Sequence, residues 1–165
     1  MIDMLAMINE SKLQGYNEAN AEAKVCQDVV LMLISQCSLK KNVTIKGGVV
    51  MRCLSKEARR ATQDLDLDFI KYSLQDESID EFIRVLNSVG IVSVVRYGTI
   101  VELKQQDYCG KRIFVELRDG QGYVLKTKID LGVHVKLEIS QDEFCFDVGL
   151  KGQNVNLLIN SKEQM

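Results

Sequence analysis

Proline is absent from the 165 residues, and histidine occurs once, at His134. Without proline, we expect Gly, Asn, Asp and Ser to form the turns between regular elements. One histidine and five scattered cysteines with no CxxC pair argue against a zinc site. Free buried thiols in a reducing cytoplasm are the better interpretation. His134 has no partner motif, so we expect an ordinary strand or surface histidine rather than a catalytic base.

Long apolar runs are also missing, and none approaches the roughly 20 residues of a membrane-spanning helix. The N-terminus lacks the basic region and apolar core of a signal peptide. We therefore expect a cytoplasmic protein with no membrane partner. The composition, 46% hydrophobic and 27% charged, excludes a disordered or fibrous chain. The length predicts one domain over residues 1–165. A net charge of -2 means that a polyanion would need a local basic patch.

The order of predicted elements indicates the fold class. Hydrophobic periodicity predicts helices at 17–37, 49–58 and 78–88, and strands at 43–46 and 65–70. After Gly90 the pattern is rich in strands, at 91–96, 99–105, 111–118, 122–131, 134–139 and 143–149. Turns are predicted at 97–98, 108–110 and 119–122, and a strand at 155–159 precedes a helix start at 160–165. This order predicts an α+β domain with helices packed on a mixed sheet.

An acidic strand is the first candidate for chemistry. In the stretch Asp64-Leu65-Asp66-Leu67-Asp68-Phe69, alternation places the three aspartates on one face and the apolar residues on the other. Carboxylates this close repel one another unless a cation lies between them, and hard oxygen ligands suit Mg²⁺. The same alternation would also arise on an edge strand whose acids only keep it soluble.

A glycine pair precedes that strand. Gly47-Gly48 follows the predicted strand 43–46 and opens a helix, where backbone N–H groups can approach a phosphate. A glycine pair alone is usually a plain turn, but strand, glycine pair, helix and acidic strand in this order form a more specific pattern. It predicts a phosphate-binding turn beside a metal-binding strand.

Later in the chain, alternation places Lys126, Lys128 and Asp130 on one face of a strand. If this strand pairs beside 65–70, Asp130 becomes a third carboxylate, and three carboxylates can hold two metal ions. Alone, Asp130 would be read as a strand-end residue before a glycine turn. Arg60 and Thr62 directly precede the acid pair, and Arg60 is a candidate phosphate contact, although such basic helix faces are usually only solvated.

These motifs resemble a known family. Lys46-Gly47-Gly48 followed by Arg60-Ala61-Thr62-Gln63-Asp64-Leu65-Asp66-Leu67 is similar to the "GG … RxTxDhDh" signature of the AbiEii/AbiGii toxin family, which lies in the DNA polymerase β-like nucleotidyltransferase superfamily. The resemblance runs from about residue 20 to the end. It implies a nucleotidyltransferase-type mixed sheet with helices packed against it. Members of the family continue into a helical C-terminal half, which we expect to be missing after residue 165.

The resemblance also implies an activity and a set of site residues. The chain would transfer NMP from an NTP to a hydroxyl acceptor such as tRNA, as the toxin of a bacterial toxin–antitoxin or abortive-infection system with a cognate antitoxin. The expected catalytic residues, which would also bind Mg²⁺ or Mn²⁺, are Asp64, Asp66 and Asp130. The expected nucleotide-binding residues are Gly47, Gly48, Arg60, Thr62 and Lys128.

Two other functions stay open from the sequence. A catalytically degenerate domain could keep the fold and bind only a nucleotide or a protein, and the expected lack of a C-terminal half favours it. A structural or interaction module would carry the same acids as solvated surface residues. Titration with Mn²⁺ or Mg²⁺ separates these functions, because a true catalytic site should bind metal through Asp64 and Asp66.

Overall fold

The computed structural model describes residues 2–55, 63–70, 72–105, 108–133, 141–148 and 154–160. The helices within these residues are α1 (Met4–Leu13), α2 (Glu18–Gln36), α3 (Gly48–Ser55) and α4 (Asp76–Ser88), with a 3-10 turn at Lys40–Asn42. The strands are β1 (Val43–Lys46), β2 (Leu65–Phe69), β3 (Ser93–Gln105), β4 (Tyr108–Arg118), β5 (Val124–Val133), β6 (Gln141–Asp147) and β7 (Asn154–Asn160). The α+β class with a mixed sheet, predicted above, is confirmed.

The strands form a seven-stranded sheet in the order β3-β4-β5-β2-β1-β7-β6. Strand β2 lies at its centre, antiparallel to β1 and parallel to β5. Strands β3, β4 and β5 form an antiparallel meander on one side. On the other side β7 runs parallel to β1, and β6 pairs with β7. Segments far apart in sequence therefore meet at β2.

One face of the sheet is apolar, and this explains why apolar and polar residues alternate along the central strands. The side chains on the apolar face are fully or almost fully buried, and each central strand contributes some of them: Val43, Ile45, Leu65, Leu67, Phe69, Ile113, Val115, Leu117, Ile129 and Leu131. Helix α4 reaches this face through Phe82, whose ring lies 5.2 Å from that of Phe69. Helix α2 packs against β5 and β7 and is buried nearly all round from Lys24 to Ile34. The other face is left to the polar residues of the same strands.

Helix α1 was not predicted, although its sequence carries a helix signal. The Asp3 side chain accepts a hydrogen bond of 3.0 Å from the backbone N–H of Ala6, as an N-cap does. Its buried residues follow three- and four-residue spacing: Met4, Met7, Ile8 and Ser11. Helix α1 packs against α2.

Two predicted turns are wrong. Tyr97 and Gly98 lie inside β3, where the pairing with β4 shifts register between Tyr97 and Val101 instead of reversing the chain. Residues 108–110 lie in β4. The turn at 119–122 is confirmed, because Gly122 donates to the carbonyl of Asp119 at 3.1 Å. The predicted strand at 134–139, with His134, lies outside the described residues, as do 161–165.

No helix within the described residues combines the length and the apolar character needed to cross a bilayer. Of the cysteines that the structure describes, Cys26 is buried, Cys37 is half-buried and Cys145 is exposed, and all three are free. Burial raises the pKa of Cys26 to about 12, so this thiol stays protonated. The expectation that the free thiols are buried is thus wrong for Cys145.

Candidate active site

The glycine turn has the backbone conformation that the sequence predicted. Gly47 follows β1 with φ +74°, a left-handed conformation that L side chains rarely adopt. Its carbonyl accepts from the N–H of Met51 at 3.3 Å and so begins α3, whose first residue is Gly48. A Cβ at Gly47 would lie 2.4 Å from Oδ2 of Asp66. Glycine is therefore required both by the turn and by the acid that lies against it.

The acids predicted to form the site are brought together by the sheet. Asp66 on β2 is the register partner of Asp130 on β5, so the two side chains lie on the same face of neighbouring strands. Asp64 directly precedes β2 and shares the face of Asp66. The condition on which Asp130 was proposed as a third carboxylate, that its strand pairs beside 65–70, is thus met. Asp130 and Asp68 are buried, and Asp64 and Asp66 are half-buried.

Basic side chains neutralise the acids around Asp66. Arg112 on β4 contacts Asp130 through two hydrogen bonds, Nε to Oδ1 at 2.7 Å and an Nη atom to Oδ2 at 3.0 Å. The Nζ of Lys128 lies 3.1 Å from Oδ1 of Asp64. Bidentate arginine–carboxylate pairs are strong and fix the orientation of both groups.

Asp68 has a different environment from the other acids. Its Oδ1 lies 2.7 Å from Nζ of Lys46, the last residue of β1. In the register between β1 and β2, its partner is the buried Thr44, whereas Asp66 is opposite Lys46. Asp68 therefore anchors Lys46 at the point where β1 enters the glycine turn.

Within the described residues, the surroundings of Asp66 disfavour its charged form. Burial raises the pKa of its carboxyl above the ordinary value, and the charge of Asp130 raises it further. Lys46 acts in the opposite direction, and Asp64 and Asp68 add smaller increases. A group destabilised in this way by burial and by like charges gains from a nearby cation.

The donor set fits a divalent cation in its chemistry. Carboxylate oxygens on two paired strands are the hard ligands that Mg²⁺ and Mn²⁺ prefer. As placed, however, Asp64 and Asp130 contact Lys128 and Arg112. Within the described residues no group of three His, Cys, Asp or Glu side chains is arranged to hold a metal ion. A cation at this place would share the carboxylate oxygens of Asp64 and Asp130 with Lys128 and Arg112.

Sequence reasoning found most, but not all, of this cluster. Arg60 and Thr62 lie outside the described residues. Lys128 was predicted as a nucleotide contact, and in the structure it contacts Asp64, one of the clustered acids Asp64, Asp66, Asp68 and Asp130. Arg112 was missed, because only the register between β4 and β5 places it opposite Asp130. No local motif in the sequence marks Arg112.

An open pocket of about 450 Å³ adjoins the acids on the β5 side. Its lining includes the N-terminal part of α2, Gln63 and the segment 126–128 of β5. Tyr97 of β3 also lines the pocket, and Nζ of Lys126 lies 5.2 Å from the centre of its ring. Lys128 lines the pocket and also contacts Asp64, so this lysine lies between the pocket and the acid cluster.

Comparison with known proteins identifies the family. The family model described as "Nucleotidyl transferase AbiEii toxin, Type IV TA system" matches residues 30–150, which is most of the chain. The chain belongs to the AbiEii family. No curated protein matches the chain. The resemblance inferred from the glycine pair and the acidic strand is thus confirmed.

The AbiEii match covers the whole candidate site. Residues 30–150 include the glycine turn, β2 with its aspartates, and β5 with Asp130. AbiEii proteins are nucleotidyl transferase toxins of type IV toxin–antitoxin systems. The chain therefore carries a nucleotidyltransferase domain of the toxin class.

Proposed function

We propose that this AbiEii-family chain transfers NMP from an NTP to the hydroxyl group of an acceptor, with tRNA or another RNA as the acceptor. The observation that carries the proposal is the register pairing of Asp66 with Asp130, with Gly47 lying directly against Asp66. Two strands and one turn, from distant parts of the sequence, thereby place carboxylates beside a backbone turn of the kind that binds phosphate.

We propose a separate role for each group. Gly47 and Gly48 hold the β- and γ-phosphates through backbone N–H groups at the start of α3. Asp130 accepts the proton of the attacking hydroxyl. Lys128, released from Asp64, contacts a phosphate of the nucleotide. Arg60 and Thr62, which lie outside the described residues, are proposed as further nucleotide contacts on the basis of the family motif.

Asp64, Asp66 and Asp130 are the residues that would hold Mg²⁺ or Mn²⁺. When bound, such an ion neutralises the charge that develops on the transferred phosphoryl group and on the leaving pyrophosphate. The raised pKa of Asp66 supports this assignment, because a carboxylate destabilised by its neighbours is the one that gains most from a cation.

Nucleotide transfer can be tested with each of the four α-³²P-labelled NTPs, Mg²⁺ and total bacterial tRNA. We expect labelled RNA with at least one NTP for the wild type and for Asp142→Asn, an exposed control aspartate on β6. Asp66→Asn should lower the transfer by at least about 100-fold, as removal of a main electrostatic group does. Equal transfer by Asp66→Asn and the wild type would remove Asp66 from the mechanism.

A second function is favoured by the ion pairs of the site. Because Lys128 and Arg112 pair with Asp64 and Asp130, the charges of these two acids are balanced by protein groups. A degenerate domain that binds only a nucleotide or a protein would show this balance. Absence of labelled product with all four NTPs, together with retained NTP binding, would favour this alternative.

The remaining proposals concern the protein as a whole. We propose that residues 1–165 form one domain, that the protein is cytoplasmic, and that a cognate antitoxin binds it. The family description supports the antitoxin. Co-expression with neighbouring genes, followed by purification, would show whether an antitoxin copurifies and restores cell growth.

A further inference from the structure

The pocket on the β5 side lies on the flank of the acids opposite the glycine turn. Strand β2, with its aspartates, stands between β1 and β5. The glycine turn follows β1, whereas the pocket is built on residues 126–128 of β5. The acids are therefore reached from two sides. Of the phosphate contacts proposed above, those of Gly47 and Gly48 lie on the side of the glycine turn, and Lys128 lies at the border between the acids and the pocket.

Phosphoryl transfer gives the two sides different roles. The attacking oxygen and the leaving oxygen lie roughly in line, on opposite sides of the transferred phosphorus. If pyrophosphate leaves on the flank of Gly47 and Gly48, the acceptor hydroxyl must approach from the flank of β5. The acceptor oxygen bonds to the α-phosphorus, the bond from that phosphorus to the bridging oxygen breaks, and the hydroxyl proton passes to Asp130.

The groups that line the pocket match a nucleotide at the end of an RNA chain. Tyr97 is 37% exposed, and its ring is tilted by 44° against that of Phe114 at a centroid distance of 5.9 Å. An exposed aromatic ring beside lysines is a stacking platform for a base with an adjacent phosphate contact. Lys126 is exposed, and its flexible stem allows its ammonium to move from the Tyr97 ring onto a phosphate.

Polar groups on the facing walls complete the match. Glu22 of α2 and Gln63 line the pocket, and Gln63 is held by a hydrogen bond of 2.7 Å from its Nε2 to Oδ1 of Asn20. A carboxylate and a fixed amide can accept from ribose hydroxyls and from base amino groups. The volume of about 450 Å³ lies in the range of small-molecule sites.

We propose that this pocket binds the 3′-terminal nucleotide of an RNA acceptor, with Tyr97 stacking on the base and Lys126 contacting the adjacent phosphate. The proposal rests on the proposed nucleotidyl transfer and adds the subsite that presents the hydroxyl. RNA is favoured over a protein acceptor because the pocket joins the exposed ring of Tyr97 to the exposed Lys126.

Binding of RNA can be measured apart from transfer, by fluorescence anisotropy with a labelled single-stranded RNA that ends in a free 3′-hydroxyl. Tyr97→Leu, which keeps bulk but removes the ring, should weaken binding about tenfold, while Tyr97→Phe should bind like the wild type. Lys126→Gln should lower the slope of log K against log salt by about 0.7, the value for one phosphate contact on a single strand. The exposed Lys104→Gln on β3 is the matched control and should change neither quantity.

The outcomes separate this inference from the proposed function. Unchanged RNA affinity in Tyr97→Leu and an unchanged salt slope in Lys126→Gln would overturn the pocket assignment, even if nucleotide transfer by the wild type is observed. Absence of RNA binding by the wild type, or transfer to a protein only, would overturn it as well. Normal RNA binding without transfer would count against the proposed function alone. Circular dichroism confirms that each variant is folded.

Discussion

At the scale of single residues, Gly47 is the most constrained position of the candidate site. Two independent effects act there: its φ of +74°, and the 2.4 Å that would separate a Cβ at this position from Oδ2 of Asp66. The first is a property of the backbone and the second a property of the site. Gly90 has nearly the same conformation, φ +80°, but a Cβ there would meet no atom within 4 Å.

Gly47→Ala should therefore destabilise the protein more than Gly90→Ala does. Left-handed strain of about 1–2 kcal/mol is common to both substitutions, and only Gly47→Ala adds the clash with Asp66. Urea unfolding of both variants measures the difference. Equal losses of stability would show that Asp66 does not pack against the turn.

Asp66 and Asp130 should respond in opposite ways to the same substitution. Asp66→Asn removes a charge that burial and like charges disfavour, so we expect a small rise in stability while function is lost. Asp130→Asn breaks the bidentate contact with Arg112 and should cost about 1–3 kcal/mol. Urea unfolding at pH 7 compares the two variants, and a clear loss of stability in Asp66→Asn would contradict the electrostatic argument.

At the scale of elements, Asp119 links helix α1 to the turn between β4 and β5. It is 5% exposed, and its carboxylate accepts from the backbone N–H groups of Met4, Gln121 and Tyr123, each at 3.0 Å. The contact to Met4 joins the start of α1 to a turn that is distant in sequence. Asp119 therefore fixes both the turn and the docking of the first helix.

Asp119→Ala should cost about 3 kcal/mol, because charge-assisted hydrogen bonds are lost and backbone donors are left buried. Asp119→Asn keeps an acceptor oxygen and should lose much less. Hydrogen exchange of residues 4–11 gives a second readout, since α1 should exchange faster only when its anchor is lost. Unchanged exchange in Asp119→Ala would show that α1 is held by its packing on α2 alone.

Helices and strands with a clear hydrophobic period were predicted well from the sequence, whereas the order and register in which the strands pair were not. The helices at 17–37 and 78–88 and the strand at 65–70 follow local periodicity, and the structure confirms them within a few residues. The division of β3 at Tyr97-Gly98 is wrong because a glycine inside a strand can mark a bulge as well as a turn. The neighbouring sequence does not show whether such a glycine marks a bulge or a turn.

The same limit applies to the site. Asp64 and Asp66 could be found because they share a strand and follow a glycine pair. Asp130 could be proposed only on condition that its strand lies beside β2. Arg112 could not be found, because its place opposite Asp130 depends on the register of two further strands. Pairing between distant strands is a property of the whole chain rather than of a motif.

At the scale of the whole molecule, folding and ligand binding should be linked. The aspartates come from β2 and β5, and only the folded sheet brings them together. A cation that binds the folded state alone stabilises it by about 2.7 kcal/mol at 100 times its Kd. The Tm of the wild type should therefore rise with added Mg²⁺, and that of Asp66→Asn should not; a rise in both would indicate binding elsewhere.

Direct binding of Mn²⁺, followed by electron paramagnetic resonance, tests the central claim that Asp64 and Asp66 form a metal-binding nucleotidyltransferase site. Titrations of the wild type, Asp64→Asn, Asp66→Asn and the control Asp142→Asn are compared under the same conditions. We predict saturable binding in the wild type and in Asp142→Asn, and its loss in Asp64→Asn and Asp66→Asn. Equal binding in all four proteins, or none in the wild type, would contradict the claim.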